Sequence, residues 1–356
     1  MLYGHPLKIV SKYKYLGITI ATKNLSNIFT SHFSEILDKA STRLSSIRSF
    51  GFQHEGFRLQ TSIRLYKLLI RPILEYCAQS LCYTKYYFKS DRLHGSVVQM
   101  LENFQTQTLK TLINAPRHSP PELIRLLCGV EPLESRFDLL KLRYFWKLTK
   151  VVEHNLARDI LLYRREHFLG CNKGFAHEVF SLCSKYNAIH IWHGVLNGPN
   201  PLMRINPFRR IKQTVSSKNL MDDLTKGRTR TCPFTQAYLA NPFCYQKKYQ
   251  LVDVFRNLDA FHARNAQAKF IRALLHCGRF PKICNFCNNA FSDLLDHQLF
   301  QCNALGSFRD KLAAYLVLYN LPEDRQPKSS IDYIAISRKS KLWRKCFTNF
   351  LKDVDF

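Results

Sequence analysis

The chain has 356 residues, with 53 basic and 26 acidic side chains and a formal net charge of +27; 46% of its residues are hydrophobic and 13% aromatic. That apolar content supports a packed core and excludes a disordered basic tail, and the length suits about two domains. No run of about 18 uncharged apolar residues occurs, and the N-terminal segment lacks an apolar stretch ending in a small-residue cleavage site, so neither a membrane span nor a secretory signal is expected.

A charge surplus of this size opposes compaction by self-repulsion, so it points to a polyanionic partner. Nucleic acid, RNA or DNA, is the expected one, because each phosphate contacted releases counterions. No basic-faced amphipathic helix stands out, so a membrane surface is not expected. The surplus is uneven: 16 basic and only 4 acidic side chains lie between Arg204 and Lys282. The chain is expected to be nuclear or cytoplasmic, and its twelve cysteines are not read as a disulfide framework. Cys77, Cys82 and Cys128 stand among apolar residues and read as buried thiols.

In chain order, residues 7–20 read as two short strands around a break at Ser11-Lys12. Phe29, Phe33, Ile36, Leu37, Ala40, Leu44 and Ile47 then fall on one helical face, which Gly51 ends. Ile63 to Tyr76 forms a second helix that Pro72 should kink or divide. Leu101, Phe104, Leu109, Leu112 and Ile113 mark a third. Pro120-Pro121 opens a short helix, and Glu131-Pro132-Leu133 opens a longer one carrying Phe137, Leu140, Tyr144, Phe145 and Leu148. The pattern weakens after Leu169, and Asn197 to Pro201 is the clearest breaker cluster. Arg204 to Arg230 is basic, polar and short of periodicity, and reads as a linker or a nucleic-acid-tracking arm. Helical spacing returns at Tyr249, Val252, Phe255 and Leu258, and again at Phe270, Ile271, Leu274 and Leu275.

One array has metal-site spacing: Cys284-Asn-Phe-Cys287, nine residues, His297, four residues, Cys302. Thiolate and imidazole are the favoured ligands of Zn²⁺ in a tetrahedral structural site. Cys284 and Cys287 come from one tight turn. His297 and Cys302 lie about one helical turn plus a residue apart, so both can face the ion. The segment is too short to fold by burial alone, so metal binding would supply its folding energy. All four positions are filled, which makes the expected Zn²⁺ structural rather than catalytic.

Lys14-Tyr15-Leu16-Gly17-Ile18, followed by a long amphipathic helix, resembles the segment just after the polymerase active site of LINE-type (non-LTR) retrotransposon reverse transcriptases. Leu65 to Tyr76 (LYKLLIRPILEY) is similar to a helix of their thumb region. Leu101 to Pro116 and Leu126 to Leu133 are similar to the segments that follow, and the cysteine/histidine array is similar to the CCHC knuckle near their C-terminus. The matches keep the family's order. The resemblance implies a C-terminal part without the catalytic core, since the carboxylates that hold two Mg²⁺ ions precede the Tyr15-Leu16-Gly17 segment in that family. Met221-Asp222-Asp223-Leu224 follows that segment instead, and reads as a solvated turn or helix start.

No other catalytic array stands out. Pro322-Glu323-Asp324 with Lys328 is a faint echo of a nuclease cluster and reads as a polar loop. His190, Trp192 and His193 read as aromatic core or a base-stacking surface rather than a metal site. Neither Gly-x-Ser-x-Gly nor a phosphate-cradling loop is present.

The expected architecture is therefore mainly α. It comprises an end-of-palm β element at 1–22, a helical thumb-like domain at 23–170, a basic and weakly structured connector at 171–248, and a helical region at 249–356 holding the knuckle at 284–302. The expected function is nucleic-acid binding without polymerase activity, with retrotransposon RNA or a template–primer as partner. Lys67 and Arg71 would contact template–primer as the thumb resemblance implies, or simply form a solvated helix face. Arg209, Arg210, Lys212, Arg228, Arg230, Lys247, Lys248 and Lys282 would meet phosphates, and Phe286 would meet unpaired bases. A zinc-dependent protein-interaction module, and a decayed fragment without selected function, are the alternatives.

Overall fold

A computed structural model of the chain describes residues 10–21, 29–49, 59–80, 91–150, 155–167, 174–194, 208–230, 239, 282–284, 286–291, 297–307, 309–310 and 313–314. Most of these residues are helical, with two small antiparallel sheets, so the protein is mainly α. The helical periods expected at 249–275 and the polar loop at 322–328 lie outside the described residues.

Strands β1 (Lys12–Tyr15) and β2 (Ile18–Ala21) pair as a two-residue hairpin. The chain turns at Leu16 and Gly17, with φ of 46° and 82°, not at the expected Ser11-Lys12 break. Two positive φ values in succession match the hairpin turn whose twist suits paired strands, and glycine supplies the second without strain. The Gly17 position is also tight: a Cβ there would lie 2.6 Å from the Tyr76 hydroxyl. That hydroxyl donates to the Leu16 carbonyl oxygen over 2.7 Å.

Helix α1 (Thr30–Ser49) buries Phe33, Ile36, Ala40, Leu44 and Ile47, the expected face. Helix α2 (Leu59–Leu65) runs through a wide π turn, Tyr66–Ile70, into α3 (Arg71–Leu74). Pro72 explains the wide turn. Its ring would clash with the carbonyl four residues back and it donates no hydrogen bond, so the expected disruption takes the form of a local widening. Helix α4 (Asp91–Ile113) is followed by α5 (Pro121–Cys128), which ends at Gly129 in the left-handed conformation, φ 60°. Val130 N–H closes that end on the Arg125 carbonyl, a Schellman stop. Pro132 then caps α6 (Leu133–Thr149).

The stretch expected to be a weakly structured connector, 171–248, instead carries α8 (Phe175–Lys185), α9 (Ile189–Gly194) and the 23-residue α10 (Phe208–Arg230). Helix α7 (Leu156–Glu166), which the periodicity did not mark, precedes them. Lys247 and Lys248 fall in the undescribed part of this stretch.

Two compact units emerge, each assembled from non-contiguous segments. The first takes in residues 1–45, 68–105 and 132–215. Its core gathers Leu142 and Phe145 of α6, Leu161 of α7, Val179 and Cys183 of α8, Ile191 and Trp192 of α9, and Val215 of α10. Trp192 stacks on Phe145 at 5.7 Å. The buried Lys141 ammonium pairs with Glu178, tying α6 to α8, and Arg136 donates two bonds to Glu75, of 2.9 and 3.2 Å. In this unit Thr19 is buried and donates to Glu35 of α1 over 2.8 Å.

The second unit takes in residues 46–67, 106–131 and 216–356. Leu59, Ile63, Leu109, Leu112, Leu123, Ile124, Leu127, Leu220 and Leu224 are among its buried aliphatics. Arg125 of α5 donates two bonds, of 2.9 and 2.5 Å, to Asp223 of α10. Asp223 is therefore a buried, ion-paired residue in the middle of a helix, which corrects the expectation of a solvated turn or helix start at Met221 to Leu224. Among the described residues no helix is long and apolar enough to cross a membrane.

Candidate metal centre

Within the second unit, β3 (Lys282–Ile283) and β4 (Ala290–Phe291) pair antiparallel, Lys282 opposite Phe291 and Ile283 opposite Ala290. The connection between them carries Cys284 and Cys287. Asn288 N–H donates to the Cys284 carbonyl over 2.7 Å, and Cys284 N–H donates to the Asn289 carbonyl over 2.8 Å. Asn288 takes a left-handed φ of 57°, a conformation asparagine tolerates better than most side-chain-bearing residues. This turn is so tight that the two thiols emerge on one side.

The other two candidate ligands lie at the ends of a π turn, His297–Gln301. An α-turn of 3.6 residues would set positions five apart about 140° away from each other. In the wider π turn the backbone hydrogen bond spans five residues, which brings positions i and i+5 close together. Cys302 N–H accordingly bonds the His297 carbonyl over 2.7 Å, and the four-residue interval between His297 and Cys302 becomes one that converges.

All four ligand atoms lie within 4.8 Å of one another. The Cys284 and Cys302 sulfurs are 3.8 Å apart, well beyond a disulfide bond of about 2.05 Å. A tetrahedron with metal–sulfur bonds of about 2.3 Å has edges of about 3.8 Å. Cys287 Sγ and His297 Nε2 stand at 3.2 Å, a few tenths closer than the mixed edge of about 3.6 Å. Cys284, His297 and Cys302 are buried and Cys287 is half-buried. The cluster is fit to hold a metal ion.

The electrostatics favour ligand forms at two positions. Burial pushes the Cys284 thiol up, but the N–H groups of Phe286 and Cys287 and the Gln298 amide outweigh it, and the net shift is downward, toward thiolate. Burial, aided by the Arg309 guanidinium, pushes His297 down and keeps its imidazole neutral. Cys302 goes the other way: burial and the neighbouring Cys284 raise its thiol.

Of the expected nucleic-acid contacts, Lys67 donates to the Gly129 carbonyl over 2.9 Å, and Arg71 pairs with Glu75 at 3.5 Å. Arg209, Arg210 and Lys212 are exposed near the start of α10. Arg228 is exposed near its end and donates to the Leu239 carbonyl over 3.0 Å. Arg230 is the last residue of α10, Lys282 opens β3, and Phe286 is half-buried in the knuckle turn. Trp192 is a core residue, while His190 and His193 are exposed, so that trio gathers no common site. Cys128 is buried as expected, whereas Cys77 is only half-buried.

Gln298 and Arg309 belong to the centre and were not anticipated. The place of Gln298 directly after the ligand His297 is the one sequence hint of the first, and nothing local signals the second. No family model matches the chain, and no curated protein or solved structure gives a significant match.

Proposed function

We propose that this chain is the nucleic-acid-binding C-terminal part of a LINE-type reverse transcriptase, that it binds without polymerising, and that its metal centre holds a structural Zn²⁺. The observation that carries the binding function is the N-terminal end of α10. Arg209, Arg210 and Lys212 are exposed there, and the first turn contains no acidic residue. Cations at a helix N-terminus oppose the macrodipole, each costing roughly 0.3–1 kcal/mol at low salt. These residues therefore do not serve the helix, and a polyanion is the partner that repays their placement. Of the two acidic residues of the helix, Asp223 is neutralised internally by Arg125, which leaves Asp222 as the one exposed carboxylate of α10.

The direct contact between Tyr76 and the Leu16-Gly17 turn supports the family reading, because it joins two of the segments on which the resemblance rests. Zn²⁺ suits three sulfurs and one imidazole nitrogen at tetrahedral spacing with no position left for substrate. Lys67 and Arg71 already serve internal partners, so the proposed interface rests on α10.

The test is fluorescence anisotropy with single-stranded RNA and DNA across a salt series, on protein whose metal content has been measured. Affinity should fall steeply with salt, with about one zinc per chain. Template, primer and Mg²⁺ should give no extension; measurable incorporation would overturn the non-catalytic reading. One observation favours the alternative of a protein-docking module: Leu156, Ile160 and Tyr163 are exposed at i, i+4 and i+7 on α7, the spacing of helix-borne anchors. Salt-insensitive binding to a protein partner, with none to nucleic acid, would favour that alternative.

A further inference from the structure

We propose that Gln298 and Arg309 are positioning residues of the metal centre, an outer shell that offsets its surplus negative charge and fixes the Cys284 sulfur. This rests on the metal-centre reading above and deepens it. A divalent ion held by three thiolates and a neutral imidazole carries one net negative charge, and burying such a charge requires donors or a counter-ion around it.

Gln298 is fully buried. Its Nε2 lies 3.8 Å from the Cys284 sulfur, oriented as a donor. The opposite amide orientation would aim a carbonyl oxygen at the sulfur, two acceptors face to face, so the donor orientation is the one the chemistry permits. The Gln298 carbonyl oxygen is buried and accepts no hydrogen bond from the described residues. An orphaned buried carbonyl costs stability, and an apolar side chain there would avoid it. What the amide contributes is a third N–H at Cys284 Sγ, beside those of Phe286 and Cys287.

Arg309 approaches from the other side. Its guanidinium donates to the Cys302 carbonyl oxygen, which places a fixed positive charge against the backbone of one thiolate ligand. One group thus fixes a sulfur and the other supplies the counter-charge, the roles that outer-shell partners of metal ligands play.

The experiment measures metal affinity by competition with a chromophoric chelator, on the full chain, for wild type, Gln298→Ala, Gln298→Glu, Arg309→Ala and Arg309→Lys. The charge-transfer band of the Co²⁺-substituted protein provides a second readout. Gln298→Ala and Arg309→Ala should each weaken affinity 10- to 100-fold. Gln298→Glu should weaken it further by setting a carboxylate against a thiolate, and Arg309→Lys should recover part of the loss. The Co²⁺ band should shift in Gln298→Ala, because one sulfur has lost a donor; a packing defect alone would not move it. If wild type takes up no metal, the metal-centre reading itself fails. If wild type binds and both alanine variants bind equally well with an unshifted band, the outer-shell proposal is overturned and the centre stands.

Discussion

Arg125 and Asp223 illustrate how much one side chain can decide. Both are buried, their pairing spans 98 positions of the chain, and it locks α5 to α10. Arg125→Ala would leave the Asp223 carboxylate buried without its partner, a loss of about 3–5 kcal/mol. Replacing both by well-packed apolar residues, Arg125→Met with Asp223→Leu, should restore most of that stability in a urea titration. His32 gives a pH-dependent counterpart. It is buried beside Thr19, whose N–H donates to its Nδ1 over 3.5 Å, with Glu35, Lys14 and Lys39 as the charged groups around it. Burial holds its pKa below the ordinary imidazole value. A base with a lowered folded pKa binds protons more readily when unfolded, so stability is complete above about pH 6.5 and declines as pH falls toward the folded value. Thermal melts at pH 7.5 and 5.5 should show a drop that shrinks in His32→Asn.

At the scale of elements, the hairpin and α10 show where local sequence suffices and where it misleads. Gly17 at φ 82° cannot accept a Cβ without displacing Tyr76. Gly17→Ala should cost about 1–3 kcal/mol, read as a lowered melting temperature. Tyr76→Phe, which loses the hydroxyl's bond to Leu16 and its contact with the Cys77 thiol, should cost about 0.5–1.5 kcal/mol. Helix α10 escaped a reading based on periodicity for a definite reason. Phe208, Ile211 and Val215 form one apolar stripe, and Leu220 and Leu224 form another. The step from Val215 to Leu220 is five residues, so the second stripe is out of phase with the first and no single face runs the length of the helix. Helices α1, α5 and α6 keep one phase, and their apolar positions announced them. The π turn at His297 shows a similar effect: an α-helical reading placed both ligands near the ion, but the wider turn is what brings them together.

For the whole molecule, the net charge of +27 makes salt the informative variable. Replacing Arg209, Arg210 and Lys212 by alanine would remove three of the proposed phosphate contacts. The slope of log affinity against log salt for single-stranded RNA should therefore lessen by about 2 units. An unchanged slope would show that the α10 face is not the interface. Composition by itself determined that this protein has a core and a surplus of positive charge, because both are sums over residues and need no geometry. Uniform periodicity determined most of the helices before α7, and local spacing determined the four candidate metal ligands, because they come from two short segments. The tertiary structure alone decided the rest. It removed Asp223 from the solvent, committed Lys67 to the Gly129 carbonyl, and set Gln298 and Arg309 around the candidate metal centre. Such facts depend on which distant side chain fills the space beside a buried polar group, and in a folded chain that neighbour is set by packing rather than by sequence separation.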